Sequence, residues 1–149
     1  MLTKTYPNSM RVMPEVLNGI IEGLQDRNPS EFWKVAVTHD GAQAFALFDA
    51  TDELIGYYAV YDKADSVDLG SLIALPFRKG VTKAALADAA TRFPGKTFTL
   101  DAFDGDLTAI YSHYGFRETD RVAWDDQDAP EVWQPSFGRP DVVFMVKEA

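Results

Sequence analysis

The residues best suited to chemistry in this sequence gather between Ser71 and Ala90. An apolar run, Ser71-Leu-Ile-Ala-Leu-Pro76, gives way to a basic turn containing Gly80. Apolar residues then recur at Val81, Ala85, Leu86, Ala89 and Phe93. That spacing predicts a helix lying on a sheet. A strand that enters a helix through a glycine turn leaves several backbone N–H groups unpaired at the helix start. Such a terminus favours an anion, phosphates above all. Arg78, Lys79 and Lys83 add positive charge around the turn. A plain strand-to-helix joint with solvated lysines accounts for the same pattern equally well, so the stretch alone leaves both readings open.

The elements that must hold this turn follow from periodicity. Pro14 to Leu24 places Val16, Leu17, Ile20, Ile21 and Leu24 on one helical face, with proline in the tolerated first turn. Ser30 to Thr38 is ambiguous: Ser30 suits a helix N-cap, whereas the β-branched residues favour a strand. Phe45 to Asp49 and Leu54 to Tyr61 read as strands joined by the polar loop 50–53, and Val67 to Leu75 as a third. Pro94-Gly95 closes the helix that starts at Gly80. Thr97 to Asp101 is a short strand. Leu107, Ile110, Tyr111 and Tyr114 mark the face of a further helix, with Gly115 in the position that ends one. Phe116 to Trp124 and Asp141 to Val146 read as closing strands, and 125–140 as a packed loop in which Trp124, Trp133 and Phe137 serve as braces or cleft walls. Thr3 to Tyr6 suggests an edge strand. With no internal repeat or linker, the expectation is one domain over 1–149, an α/β (α+β) arrangement with a mixed sheet and helices on both faces.

Charge and composition narrow the partners. The net charge of −9 argues against binding nucleic acid. The basic residues that do cluster, Arg78, Lys79, Lys83, Arg92 and Lys96, suit one small anionic ligand. The acidic remainder suits a cationic substrate such as an amine, although solubility alone also explains it. The absence of cysteine rules out disulfides and thiolate chemistry, and two distant histidines, His39 and His113, argue against a metal cluster. No apolar run approaches the roughly 20 residues a membrane span needs, and Met1-Leu-Thr-Lys lacks a signal-peptide pattern. A cytoplasmic location is the expectation.

The run Leu107-Thr-Ala-Ile-Tyr-Ser-His-Tyr-Gly-Phe116 resembles the "Ala-Ile-x-Leu-Tyr-x-x-x-Gly-Phe" signature of the GNAT superfamily of N-acetyltransferases, with Ile110-Tyr111 and Gly115-Phe116 in register. The stretch opening this section is similar to that family's acetyl-CoA strand and pyrophosphate loop, Gln/Arg-x-x-Gly-x-Gly/Ala, and the likeness extends over roughly residues 42 to 124. It implies a mainly antiparallel central sheet and acetyl-CoA as cofactor. It assigns cofactor contacts to Ile73, Ala74 and Leu75 on the strand, to Arg78, Lys79, Gly80, Val81, Thr82 and Lys83 in the loop, and to Asp104 before the next helix. Backbone N–H groups near Ala74 and Leu75 would polarise the thioester if the central strands splay at Pro76. By the same resemblance Tyr111 protonates the departing thiolate, against its default role as a core tyrosine, and Asp68 is the best-placed base, with Glu53 second. The sequence departs from the pattern in three places. The Gln/Arg position falls on Phe77, the second glycine on Thr82, and the usual asparagine on Asp104, which would cap the helix.

Ala129 to Trp133 and Gly138 to Met145 are similar to the tails of acetyltransferase-like proteins encoded by bacteriophages, which implies a host-cytoplasm setting. Two functions are compatible with all this. One is acetyl transfer from acetyl-CoA to an amine by a monomer or homodimer. The other is a non-catalytic descendant that binds a partner protein.

Overall fold

The computed structural model describes residues 8–76 and 78–149. The expected edge strand at Thr3 to Tyr6, and Phe77, lie outside these residues. Among the described residues one seven-stranded sheet runs in the order β1-β2-β3-β4-β5-β7-β6. The strands are β1 (Asn8–Val12), β2 (Gln43–Phe48), β3 (Leu54–Asp62), β4 (Ser66–Ala74), β5 (Thr97–Phe103), β6 (Arg117–Val122) and β7 (Val142–Lys147). All neighbours pair antiparallel except β4 and β5, which are parallel and joined through a helix. The sheet is thus mixed and mainly antiparallel, as expected.

Helices cover both faces. On one, α1 (Pro14–Arg27) and the single turn α2 (Pro29–Phe32) pack Leu17, Ile21, Leu24 and Phe32 against Ala44, Ala46, Tyr57, Ala59 and Ile73. On the other, α3 (Val81–Arg92) and α4 (Asp106–His113) pack Val81, Ala85, Ala89 and Tyr111 against Phe45, Tyr58, Val60 and Leu69. Two predicted helix faces need trimming: Val16 on α1 and Ile110 on α4 are exposed. The ambiguous stretch 30–38 is neither a full helix nor a strand. Asn28, not Ser30, occupies the N-cap of α2, and the chain is irregular after Trp33.

The packed loop is held as expected, by aromatic side chains. Trp33, 2% exposed, stacks near Phe103, Trp124 and Phe137 at 5.0, 5.8 and 6.4 Å. The Trp133 indole N–H donates to the Gly138 carbonyl at 2.7 Å, closing the loop on itself.

One charge lies deep in this architecture. Asp88, buried on α3, accepts from the Ser9 hydroxyl of β1 at 2.6 Å, from the Tyr58 hydroxyl of β3, and from Arg92 one turn away at 3.0 Å. Arg92 in turn lies over the Phe45 ring at 4.2 Å. Burial first, and the Asp88 carboxylate second, push the Tyr58 phenol far above its usual range, so it stays a donor at any working pH. The network fixes α3 against three strands at once. Removing the carboxylate leaves the buried Tyr58 hydroxyl without its acceptor, so Asp88→Ala should cost about 1–3 kcal/mol. Urea denaturation measures this, and a loss below about 1 kcal/mol would show that the network carries no stability.

Candidate functional site

The site originates where two parallel strands part. β4 and β5 pair only from Ser66↔Thr97 to Leu69↔Leu100, although both strands continue beyond. A bulge accompanies the parting. Tyr58 faces Leu72 while Val60 faces Leu69, so Gly70 and Ser71 together oppose Ala59. The extra residue inverts the side-chain alternation of β4. Val67 and Leu69 point to the α3 face, and Ile73 points to the α1 face. The strands were expected to splay at Pro76; they separate earlier, at Leu69, because the bulge breaks the ladder there.

Beyond the bulge the backbone of β4 has a free side. The Leu75 N–H donates back to the Ile55 carbonyl of β3 at 2.9 Å. Alternation along a strand then turns the N–H groups of Leu72 and Ala74 toward the gap. This corrects the assignment of Leu75 as a polarising donor, since its N–H is committed to β3. It corrects Ile73 as well, since the same alternation turns its N–H to β3 while its side chain is sealed in the α1-face core. Ala74 keeps its place on the cleft edge.

The gap opens into a cavity of about 480 Å³ lined by both diverging strands, by α4, and by the segment 34–39. That segment is strapped across the α1 face by side chains. The Asn18 carboxamide accepts from the Thr38 N–H at 2.7 Å, the Gln25 amide donates to the Val35 carbonyl at 2.8 Å, and the Ser71 hydroxyl at the bulge donates to the Ala36 carbonyl. His39 at its end stacks on Tyr61 with 4.3 Å between centroids.

Tyr111 closes the inner end. Helix α4 stops in a Schellman arrangement: the Phe116 N–H reaches the Tyr111 carbonyl and the Gly115 N–H the Ser112 carbonyl, both at 3.1 Å. Gly115 takes a φ of 99°, which a glycine there permits. The Phe116 ring meets the Tyr111 ring edge-on at 5.4 Å, so the motif that ends the helix also orients the tyrosine. Tyr111 is 4% exposed. Burial drives its phenol well above the usual tyrosine range, keeping it protonated. No protein group among the described residues hydrogen-bonds its hydroxyl, yet no buried side-chain oxygen is left unpartnered, so the hydroxyl opens onto the cleft. Tyr111 lines the large cavity and also a small recess with Thr82, Ala85 and Leu86 on the α3 side. It therefore borders both spaces.

At the α3 end, Gly80 takes the left-handed conformation, φ 76° and ψ 13°, as the N-cap residue. Among the described residues no side chain caps this helix, and no acidic residue sits in its first turn. The N–H groups of Val81, Thr82 and Lys83 are thus turned outward, with the exposed Lys79 and Lys83 beside them. A side chain at Gly80 would meet nothing within 4 Å, so the approach is open. The Val81 side chain itself is buried under Gly56, where an added Cβ would lie 2.2 Å from the Ile73 carbonyl and 2.7 Å from Val81. Gly56 lets α3 sit this close to the sheet. Arg78 turns away to pair with Glu53 at 2.8 Å. That pair also removes Glu53 as a candidate base, because it is tied at the hairpin and does not line the cavity.

Asp68 does line the cavity, its carboxylate accepting from the Thr99 hydroxyl at 2.7 Å. Asp104 does not. Its carboxylate is drawn to Arg121 at 2.8 Å and also accepts from Thr108, which hold it below the usual carboxylate range. The N-cap of α4 is Gly105, not Asp104. Sequence reasoning missed Asp101, next to the divergence on β5, and Asp106, both on the cavity wall. Two steps from Thr99 on a strand, Asp101 shares the face of Asp68; that period-2 pattern was the available signal. Crowding at the cleft and the Asp68 charge raise the carboxyl of Asp101 above its ordinary value, although its side chain still meets solvent. Among the described residues no group of acidic residues and histidines is arranged to hold a metal ion, and no helix is long and apolar enough to cross a membrane.

No family model and no curated protein matches the sequence. Solved structures do match the fold. An IAA acetyltransferase from Bacillus cereus superposes with a TM-score of 0.66 at 14% identity, covering 95% of this chain and 98% of that one. A GNAT family acetyltransferase from Elizabethkingia anophelis with acetyl-CoA bound gives 0.60 at 16%, covering 95% and 97%. A spermidine N-acetyltransferase from Vibrio cholerae in complex with CoA and spermine gives 0.63 at 16%, covering 95% and 94%. The chain has the fold of the GNAT acetyltransferases.

Proposed function

We propose that this protein transfers an acetyl group from acetyl-CoA to the amine of a small molecule or protein. The observation that carries the reading is the protonated, buried Tyr111, whose hydroxyl is unpartnered and which borders both the cavity and the recess. The α3 end offers uncapped N–H groups, an αL glycine and two exposed lysines, which fit a pyrophosphate. Thr82 leaves that fit intact, since it lines the adjoining recess and its hydroxyl is a further donor. The free N–H groups of Leu72 and Ala74 fit the acyl end of an extended, thioester-bearing arm. Acetyl-CoA supplies the acyl thioester.

The chain's own groups then divide the work. Leu72 and Ala74 N–H groups face the carbonyl oxygen, where negative charge develops as the amine adds to carbon. As the new C–N bond forms and the C–S bond breaks, the sulfur takes the bonding pair and a proton from Tyr111. Asp68, through water, receives the proton lost by the amine. A tyrosine phenol is protonated across the neutral range, so that acid is loaded. A bacteriophage source, suggested by the tail, would place this reaction in a host cytoplasm, with the protein acting as a monomer or homodimer.

Acetyl-CoA at a hundred times its Kd should stabilise the fold by about 2.7 kcal/mol. For a chain of this length that amounts to roughly 5–10 °C in Tm. Thermal denaturation with acetyl-CoA and, separately, ATP reads this; no shift with acetyl-CoA, or the same shift with both, would favour a partner-binding protein. Lys79→Ala with Lys83→Ala should weaken CoA binding about tenfold, while the melting temperature without ligand stays put, since both side chains are exposed. Unchanged affinity in that double variant would move the pyrophosphate elsewhere. Tyr111→Phe should lower turnover roughly 100- to 10,000-fold. Its acetyl-CoA affinity and melting temperature should hold, because the hydroxyl has no protein partner to lose. Thiol release and melting followed on one sample decide it, and an unchanged rate would leave Tyr111 as packing alone.

A further inference from the structure

The cavity beside the gap carries an amine of its own. Among the described residues Lys34 is the one lysine on its wall. Among those residues it makes no ion pair and no hydrogen bond; its ammonium lies over the Trp33 ring at 5.7 Å, a weak hold at an exposed site. The backbone that carries it is fixed on both sides. Trp33 before it is 2% exposed, and the Gln25 amide donates to the Val35 carbonyl after it at 2.8 Å. The side chain runs toward the start of α4, where a Cβ built at Gly105 would stand 3.6 Å from the Lys34 ammonium. Gly105 is the N-cap of the helix that carries Tyr111, which lies about 9 Å further along the axis at about 1.5 Å per residue. Helix side chains lean back toward the N-terminus, so the Tyr111 ring crosses part of that distance. The exposed, flexible lysine stem can cross the rest.

Resting on the acyl-transfer reading, we propose that Lys34 is an internal acceptor, a modification site at which the protein acetylates its own chain. The neutral Lys34 amine adds to the thioester carbon. As the C–N bond forms the C–S bond breaks, and the sulfur leaves with the bonding pair and takes the Tyr111 proton. The amine gives its proton to Asp68 through water, and solvent returns one to the phenol. The products are acetyl-lysine at position 34 and the free thiol of CoA. Tethering replaces a bimolecular encounter with an intramolecular one, so the lysine reacts without any binding step of its own. Until an external amine fills the cavity, Lys34 is the amine that shares it with Tyr111. Acetylation turns its ammonium into a neutral amide, and His39 is then the remaining basic residue on that wall among the described residues.

Incubation with acetyl-CoA and no added amine, followed by intact-mass analysis and peptide mapping, tests this. A single acetyl group should appear on Lys34, at a rate independent of protein concentration, because the transfer stays within one chain. Lys63 and Lys83, exposed but away from the cavity, should be modified at least about tenfold more slowly. In urea that preference should vanish. Lys34→Arg, which keeps the charge, should leave the chain unmodified over the same period. Acetyl groups spread evenly over the exposed lysines, a preference for Lys34 that survives unfolding, or a rate that rises with protein concentration would overturn the proposal. Acetyl-CoA that raises Tm yet leaves Lys34 unmodified would overturn it too, while the acyl-transfer reading stands. No melting shift with acetyl-CoA would remove the acyl-transfer reading itself, and this inference with it.

Discussion

Beyond Leu69 and Leu100, two strands that belong to one sheet no longer satisfy each other's hydrogen bonds. Backbone groups left this way need another partner or water. The protein turns the requirement to use by keeping β4 paired to β3 on either side of the bulge and exposing the other edge to the gap. The bulge at Gly70 and Ser71 is the physical cause, since an extra residue in β4 spoils the register that both neighbours would need. The cavity, the exposed N–H groups, the access to Tyr111 and the position of Asp101 all descend from that local mismatch.

Holding such a gap open requires rigidity around it. Around α3 this comes from close approach, with Gly56 admitting Val81 and Asp88 tying the helix to β1 and β3 through hydrogen bonds. On the same face α4 relies on a helix end whose hydrogen bonds and ring contact fix Tyr111 together. The acyl-transfer reading needs that order, because a general acid displaced by about an ångström loses much of its effect.

The sequence made the regular parts legible. The stripes of α1 and α3 and the hairpin of β2 and β3 emerged from periodicity, and Gly115 from helix-end chemistry. Strand β1 escaped notice because Met10 and Arg11 are exposed and its five residues carry no alternation. Residues 30–38 resisted assignment because side chains elsewhere, Asn18, Gln25 and Ser71, hold their backbone. The bulge has no local signature, so neither the point of divergence nor the sealing of Ile73 could be read in advance. Asp104 illustrates another gap: its chemistry was judged beside its sequence neighbours, whereas Arg121 on β6 decides where it points.

The segment 34–39 forms one wall of the large cavity, yet it belongs to no strand or long helix and is hung from the body by the side chains of Asn18, Gln25, Ser71 and Tyr61. Specificity and architecture therefore draw on separate sets of residues. Substitutions at Lys34, Val35 or Val37 can reshape the wall without disturbing the sheet, whereas the anchoring side chains are each answerable to the fold. On the acyl-transfer reading, descendants of such a chain would exchange one acceptor for another by substitutions in this segment alone.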